Sequence, residues 1–334
     1  MRPDKRQTQR IIYDNFMDFS ITFDGLPGGV PKLAIAFGVF DGVHPGHRLI
    51  VAETCKLARE RGGIGAAVTF VPHPRAVVGK PGDAPPELLI SVEERLKRLV
   101  ACGAAATGVI GFTPEFGALE PEVFLAGLFR RRDFELAGIC VGEDWRFGRQ
   151  GRGDAALLKE FCAANNLGFK AVKRLRHGAR DISSSAIRAL LRQGKLDEAR
   201  GMLGSAPSLA GTVIAGFHIA GKELDAPTAN LKLEYGVLPP DGVYAGSAEI
   251  RGRRFPAVMN IGFAPTYGGS ERRIEIHLPG FSGNLYGSFL TVELLGFLRP
   301  ERKFDSPGAL KEQIVLDISG ANKIFNQNYC EVTR

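Results

Sequence analysis

The chain has 334 residues, a formal net charge of +7 and a hydrophobic fraction of 44%. This length predicts two domains, and the sequence contains no apolar run near the ~20 residues of a membrane span. The stretch Met1–Arg6 is charged and leads into no apolar signal segment, so we expect a cytoplasmic protein. Five cysteines without a Cys-x-x-Cys pair argue against a disulfide framework and a structural zinc site.

Strand-like and helix-like segments alternate after an irregular start of about 30 residues. The predicted strands span 33–37, 65–70, 107–112, 136–141 and 169–172. The predicted helices span 48–61, 91–102, 121–131, 153–165, 183–191 and 196–203. Such alternation predicts an α/β domain with a doubly wound parallel sheet.

The pattern changes near residue 205 to short strands with frequent glycine and proline. These strands are predicted at 211–215, 242–250, 255–262, 272–277 and 289–297. They indicate a β-barrel, which a helix over 306–326 closes. We therefore expect one domain over 1–204 and a second over 205–334.

The residues from Gly38 to His47 stand between a predicted strand and a predicted helix. Ligands bind at this edge of open α/β sheets, and a helix N-terminus favours phosphate. We expect His44 and His47, spaced i, i+3 at the start of the predicted helix, to fall on one face, from which both can point at a polyphosphate. A strand before the motif and a helix after it favour its interpretation as the His-x-Gly-His pattern of nucleotidyltransferases. The alternative interpretation is a loop with two solvated histidines.

Three more polar clusters follow predicted strands or begin a predicted helix: 72–74, 142–154 and 182–188. In the last, hydroxyls at a helix start and Arg188 one turn later form a group that grips phosphate. Taken alone, each cluster is also compatible with a turn, a surface loop or an N-cap. For the basic run 130–132 a solvated helix face is favoured over a nucleic-acid patch.

Together these motifs resemble the adenylyltransferase domain of bacterial bifunctional riboflavin kinase/FAD synthetases. The family's Gly-x-Phe-Asp-Gly-Val-His-x-Gly-His matches 38–47, and its Pro-His-Pro matches 72–74. Its Gly-x-Asp-Phe-x-Phe-Gly corresponds to 142–148, with Trp145 in place of the usual phenylalanine. Its Ile-Ser-Ser-Thr-x-Ile-Arg corresponds to 182–188, with Ser185 in place of threonine.

The resemblance implies that the FMN phosphate attacks the α-phosphorus of ATP in line and that pyrophosphate leaves. His44 and His47 would stabilise charge on the phosphates, with Mg²⁺ accompanying the triphosphate. The implied ATP-binding residues are Gly38, Phe40, Asp41, Gly46, Ser184, Ser185 and Arg188. The implied flavin or substrate residues are Pro72, His73, Asp144 and Phe147.

In the second half, Thr228 and Asn230 follow Gly216 and Gly221 in what we predict to be a flexible loop. Spaced two residues apart, they offer two oxygen ligands on one side of an extended chain. Oxygen ligands suit Mg²⁺ on a nucleotide. Further on, Glu275 and His277 share a strand face opposite two isoleucines, and the carboxylate suits a general base. The alternative for the latter segment is a polar outer strand face.

This half resembles the riboflavin kinase domain of the same family, a six-stranded barrel. The matching motifs lie at 227–230, 241–244, 260–262, 275–277 and 299–304. The resemblance implies that Thr228 and Asn230 bind Mg²⁺ and ATP, that Gly216 and Gly221 border the ATP site, and that Glu275 is the base for the ribityl 5′-hydroxyl. The two resemblances cover about residues 33–325.

One departure concerns Asp225, where the family usually has glycine. A like charge ~4 Å from phosphate costs on the order of 4 kcal/mol at an effective dielectric constant of ~20. We therefore hold open an FAD synthetase with a silent flavin-binding barrel. An alternative of another class is a non-catalytic module that senses flavin or binds RNA. A cytidylyltransferase shares the His-x-Gly-His pattern, but that function would not explain the barrel motifs. We expect riboflavin, FMN, FAD and ATP as ligands, no nucleic acid or membrane partner, and a monomer or weak homo-oligomer.

Overall fold

The computed structural model describes residues 19–80, 82–214, 228–263 and 272–329. Their contacts divide the chain into two compact units. The first comprises the described residues up to Phe40 together with 47–86 and 96–174, and the second comprises 41–46, 87–95 and the residues from 175 onward.

The first unit contains a six-stranded sheet with the spatial order β1-β4-β3-β2-β5-β6. Its strands are β1 Ile21–Asp24, β2 Lys32–Phe37, β3 Ile64–Val71, β4 Ala106–Gly111, β5 Glu135–Gly142 and β6 Gly168–Val172. Strands β2 to β6 pair in parallel, which confirms the predicted sheet. Strand β1 pairs antiparallel with β4 at one edge, where the sequence predicted irregular chain.

Helices connect the parallel strands, as a parallel sheet requires. They are α1 Pro45–Glu60, α2 Pro74–Val78, α3 Val92–Ala101, α4 Pro114–Gly117, α5 Pro121–Phe129 and α6 Ala155–Ala164. The hydroxyl of Ser91 caps α3 by accepting a hydrogen bond from Glu94 N at 3.1 Å. The apolar strands β2, β3 and β5 supply the centre of the buried core.

Strand β2 lies between β3 and β5, so the strand order reverses on either side of it. In open α/β sheets ligands bind outside the carboxyl end of the strands at such a point. The motif that starts at Gly38 directly follows the last residue of β2. The topology thus places Gly38, the first residue of the motif that ends in His-x-Gly-His, at the position where this class of sheet binds ligands.

The second unit contains a closed barrel of six antiparallel strands with the order β10-β13-β12-β11-β14-β9. They are β9 Ser208–Ile214, β10 Thr228–Tyr235, β11 Gly242–Ile250, β12 Arg253–Phe263, β13 Arg272–His277 and β14 Phe289–Arg299. A final helix, α9, spans Pro307–Tyr329. The predicted barrel and closing helix are confirmed. The prediction that Thr228 and Asn230 lie in a loop is wrong, because they begin β10.

Two helices, α7 Ser184–Arg192 and α8 Leu196–Leu203, precede the barrel and follow the short hairpin of β7 Arg176–His177 and β8 Arg180–Asp181. Their apolar faces join one buried cluster with the side chains that fill the barrel. Leu89 belongs to the same cluster. The second unit is therefore a barrel with two helices and the segment around Leu89 packed on a common core.

Candidate functional sites

The loop Asp41–Gly46 is anchored in the second unit by the side chain of Asp41, which is 1% exposed. Its carboxylate accepts hydrogen bonds from Leu89 N at 2.9 and 3.1 Å and pairs with Arg188 Nη2 at 2.5 Å. The hydroxyl of Ser184 donates to the Asp41 carbonyl at 2.9 Å. Ser184 and Arg188, which we predicted from sequence to hold phosphate, thus both contact the loop. Ser185 is exposed in the first turn of α7, and phosphate binding by all three stays a prediction.

The backbone of this loop takes conformations that most residues avoid. Gly42 has a φ of +84° and Val43 a φ of +46°. A Cβ at position 42 would lie 2.8 Å from Leu89 Cδ1, so glycine meets a steric as well as a conformational need. His44 is buried, and its ring would lie 3.3 Å from a Cβ at Gly46. Backbone strain of this kind persists only where neighbours hold it, and it clusters at functional sites.

In the first unit, Gly38, Phe40 and His47 form a compact group. A Cβ at Gly38 would lie 2.8 Å from the ring of Phe40, which is fully buried and has a φ of +52°. Phe40 packs edge-to-face on His47 with ring centroids 5.3 Å apart. His47 stands in the first turn of α1, where the helix dipole favours negative charge.

An aromatic cavity of about 280 Å³ also lies in the first unit. Trp145 and Phe147 stack at 4.8 Å with an interplanar angle of 14°, and Phe37 stacks on Trp145 at 5.8 Å with an interplanar angle of 19°. His73, the N-cap of α2, lines the cavity beside Arg75, Arg146 and the rings of Phe70, Phe112, Phe116, Phe124, Trp145 and Phe147. Stacked rings with a basic rim suit a planar, phosphorylated ligand.

Two other predicted flavin residues stand apart from the ring stack. Asp144 is half exposed, and its carboxylate pairs with Arg174 Nη2 at 2.5 Å. Pro72 precedes His73 in the segment that ends in α2. A flavin contact by Asp144 or Pro72 stays a prediction.

A row of polar side chains crosses the outer face of the barrel. Glu275 of β13 lies opposite Asn230 of β10 and opposite Asn260 of β12 in the strand register. Residues directly opposite in antiparallel strands place their side chains on one face with Cβ atoms ~5 Å apart. The neighbours Ile274 and Ile276 are buried in the barrel core. The predicted alternation of polar and core residues in this strand is confirmed.

Two members of this row, Asn260 and Glu275, line a cavity of about 590 Å³ between the barrel and α9. The barrel contributes Val243, Val258, Asn260, Phe263, Glu275, His277 and Arg299, and α9 contributes Leu310, Ile314, Asp317 and Ile318. Burial raises the pKa of Glu275; Arg273 opposes this change and the carboxylate of Glu301 adds to it. A half-buried carboxylate whose pKa is raised at the edge of a cavity suits a general base.

The wall formed by 299–304 is fixed to α9. Arg299 donates from Nε and Nη2 to both carboxylate oxygens of Asp317, at 2.8 to 3.1 Å. Gln313 Nε2 donates to the same carboxylate at 2.8 Å. The guanidinium groups of Arg299 and Arg302 lie 5.6 and 4.7 Å from the ring centroid of Phe304. The motif at 299–304 therefore acts as a rigid wall of the cavity.

Several predicted residues lie outside the described part of the chain. These are Gly216, Gly221 and Asp225. The backbone of Thr228 is described as the start of β10, opposite His277, and its side chain is not.

Asn260 and Arg299 belong to the motifs at 260–262 and 299–304, but the sequence did not predict that they line the second cavity together with the apolar face of α9. The register that sets Asn260 beside Glu275 depends on strand pairing, which periodicity does not give. Leu310, Ile314 and Ile318 have the i, i+4, i+8 spacing of one helix face, and this spacing does not tell which surface that face covers.

The parallel sheet with its His-x-Gly-His motif and the barrel with the half-buried carboxylate of Glu275 define a transferase of two domains with one candidate site in each. The family model of FAD synthetase matches residues 30–186, and that of riboflavin kinase matches 203–325. The bifunctional riboflavin kinase/FMN adenylyltransferase of Bacillus subtilis (strain 168) is 32% identical over 306 residues, which cover 88% of this chain and 93% of the relative. The protein of the same name from Escherichia coli (strain K12) is 32% identical over 294 residues, 87% of this chain and 92% of the relative. The chain belongs to the bifunctional riboflavin kinase/FMN adenylyltransferase family.

A solved structure, named as the macrolide-efflux protein of Streptococcus pneumoniae, is similar to this chain with a TM-score of 0.76 and 28% identity. The similarity covers 88% of this chain and 95% of that one. Within the described ranges, no helix has both the length and the apolar character to cross a membrane.

Proposed function

We propose that this chain phosphorylates riboflavin to FMN with ATP at the barrel and adenylylates FMN to FAD with ATP at the sheet. The observation that carries the proposal is that one chain contains both domains of the family, the FAD synthetase domain and the riboflavin kinase domain. In each domain the polar residues of the candidate site lie close together. The Asn230–Glu275–Asn260 row marks the first site, and the loop with His44 and His47 marks the second.

In the kinase reaction, the apolar part of the cavity below α9 holds the isoalloxazine ring. Phe304 and the Arg299–Asp317 pair fix the wall against which it packs. The ribityl chain then reaches Glu275, which accepts the proton of the 5′-hydroxyl as that oxygen attacks the γ-phosphorus of ATP. The raised pKa of Glu275 strengthens it as a base, because catalysis is most effective when the pKa approaches the working pH.

The kinase site also fits Mg²⁺. Asn230 offers an amide oxygen on the strand that pairs with Glu275, and oxygen donors are what this ion prefers. In the part of the chain that the structure describes, no three His, Cys, Asp or Glu side chains cluster as metal ligands. Such a cluster is not needed here, because Mg²⁺ that binds substrate phosphates usually has only one or two protein ligands. When bound there, Mg²⁺ would neutralise charge on the phosphates of ATP; Thr228 and Asn230 are the residues we propose to hold it.

In the adenylyl transfer, no covalent enzyme intermediate is needed, so positioning and charge neutralisation dominate. His44 and His47 donate hydrogen bonds to the phosphate oxygens as charge moves to the leaving pyrophosphate. Gly38 and Gly46 keep the loop compact around the rings of Phe40 and His44. The aromatic cavity beside His73 receives the flavin ring, with Trp145 and Phe147 stacked in its wall.

Product analysis by chromatography tests the proposal. The protein is incubated with ATP and Mg²⁺ and with either riboflavin or FMN. We expect FAD from both substrates, with FMN as an intermediate when riboflavin is supplied. FAD from FMN alone would instead support the alternative in which the barrel binds flavin without phosphorylating it. The cytoplasmic location, the monomeric or weakly oligomeric state and the domain boundary near residue 205 remain predictions.

A further inference from the structure

The ion pair between Asp41 and Arg188 is buried within the second unit. The side chains are 1% and 8% exposed, and the two groups meet at 2.5 Å. Both residues belong to motifs that we predicted to bind ATP directly. A buried charge requires a partner and full hydrogen bonding, and each of these two groups has the other.

The pair also fixes the segment 87–89. Asp41 accepts two hydrogen bonds from Leu89 N, and Arg188 Nε donates to the Glu87 carbonyl at 2.7 Å. The Leu88 carbonyl accepts from Gly236 N at 2.8 Å, directly after the end of β10. The loop, α7 and the end of a barrel strand are therefore joined through three consecutive residues.

Arg95, on α3, brings a second guanidinium to this place. Its side chain is 1% exposed; burial lowers its pKa, while attraction to Asp41 and then to Tyr235 opposes the change. Arg188 adds a like charge to the same group. One carboxylate, that of Asp41, thus faces two buried cations.

We propose that Asp41 is a positioning residue for adenylyl transfer, which fixes loop Asp41–Gly46 through Arg188 and Leu89 so that His44 meets the phosphates. Gly42 and Val43 carry the positive φ angles that such anchoring must hold in place. The proposal rests on the proposed adenylyl transfer and adds that Asp41 acts on His44 through the backbone rather than on ATP.

The size of the effect follows from geometry. A displacement of about 1 Å of a catalytic group costs about 100-fold in rate. Such a loss falls on kcat, because His44 acts on the transition state, whereas loss of a direct ATP contact raises KM. Riboflavin phosphorylation by the same molecules provides an internal measure of folding.

The experiment compares four full-length variants after FAD formation from FMN has been measured for the unaltered protein. They are Asp41→Asn, Arg188→Lys, the double variant, and Asp197→Asn as the matched control, which removes an exposed carboxylate on α8. A failure of the unaltered protein to form FAD would contradict the proposed function itself and so is distinguishable. If Asp41→Asn does not fold, Arg188→Lys carries the test, because it keeps the charge and loses the planar fork that spans Asp41 and Glu87.

We expect each single variant to lose about 100-fold in kcat for FAD formation, with KM for ATP within threefold and kinase turnover unchanged. The double variant loses no more than the worse single variant, because the two side chains act as one unit. The control stays within twofold of the unaltered protein. The proposal would be overturned if the single variants keep their kcat, or if only their KM for ATP changes. It would also be overturned if the losses multiply in the double variant, or if kinase turnover falls in parallel with FAD formation.

Discussion

Asn230 and Glu275 face each other across the antiparallel pair of β10 and β13, with Asn260 on the far side of Glu275. Three oxygen-bearing side chains thus lie in one row across three strands. Glu275 and Asn260 line the cavity that α9 covers, and Asn230 lies next to Glu275 on the adjoining strand. Pairing of strands far apart in sequence, rather than a local motif, assembles this part of the proposed kinase site.

Replacing Asn230 by alanine removes an oxygen donor next to Glu275. We expect the Mg²⁺ concentration for half-maximal riboflavin phosphorylation to rise about tenfold, since one charge-assisted contact contributes about 1.4 kcal/mol. Adenylyl transfer from FMN is unaffected. The measurement is a Mg²⁺ titration of both activities, with Gln327→Ala on the exposed side of α9 as the control. An equal rise for both activities would contradict the assignment.

Replacing Trp145 by alanine removes one ring from the stack in the aromatic cavity. A stacked ring contributes about 1 kcal/mol beyond its buried area, so KM for FMN in FAD formation rises roughly tenfold. Phe129→Ala is the matched control, because this ring is 43% exposed and packs on Phe161 instead. The measurement is steady-state kinetics of FAD formation at varied FMN concentration. An unchanged KM for FMN in Trp145→Ala would exclude this cavity as the flavin site.

Replacing Asp317 by alanine breaks the pair with Arg299. The free energy of unfolding falls by about 3 kcal/mol, the low end for a broken buried pair because the Arg299 side chain is 18% exposed. KM for riboflavin also rises, since the wall at 299–304 loses its anchor. Urea unfolding and kinase kinetics measure the two effects, with Glu312→Ala on the same helix as control. Unaltered stability with Asp317→Ala would show that the pair does not fix the wall.

Asp225, which lies outside the described residues, bears on the strength of the kinase. If its charge opposes the phosphates of ATP, Asp225→Gly raises riboflavin kinase turnover. The rate of FMN formation at saturating ATP is the measurement, and FAD formation from FMN is the internal control. A turnover no higher than that of the unaltered protein would reject the charge explanation.

Local sequence patterns predicted most of the architecture. The apolar strand at 33–37, the capped helix after Ser91 and the alternation at 272–277 all appear with bounds within a few residues. These elements carry their periodicity and caps within the segment itself. The edge strand Ile21–Asp24 was missed because it is short, half-exposed and specified by pairing with β4.

The candidate sites depended more on long-range contacts. The hydroxyl and guanidinium of the 182–188 motif were predicted to hold phosphate, which stays a prediction, and their contacts with Asp41 were not predicted. A buried ion pair between residues 147 positions apart has no local sequence signature. Strand β10, which begins at Thr228, was not predicted for a similar reason. It is specified by pairing with β9 and β13, which are distant in sequence.

The most direct test of two separate sites is a double dissociation between Glu275→Gln and His47→Asn. Each variant is supplied in turn with riboflavin and with FMN, together with ATP and Mg²⁺, and the flavin products are separated by chromatography. We predict that Glu275→Gln forms no FMN from riboflavin but converts FMN to FAD, and that His47→Asn converts riboflavin to FMN and stops there. Loss of both reactions in either folded variant, or retention of both, would contradict the account.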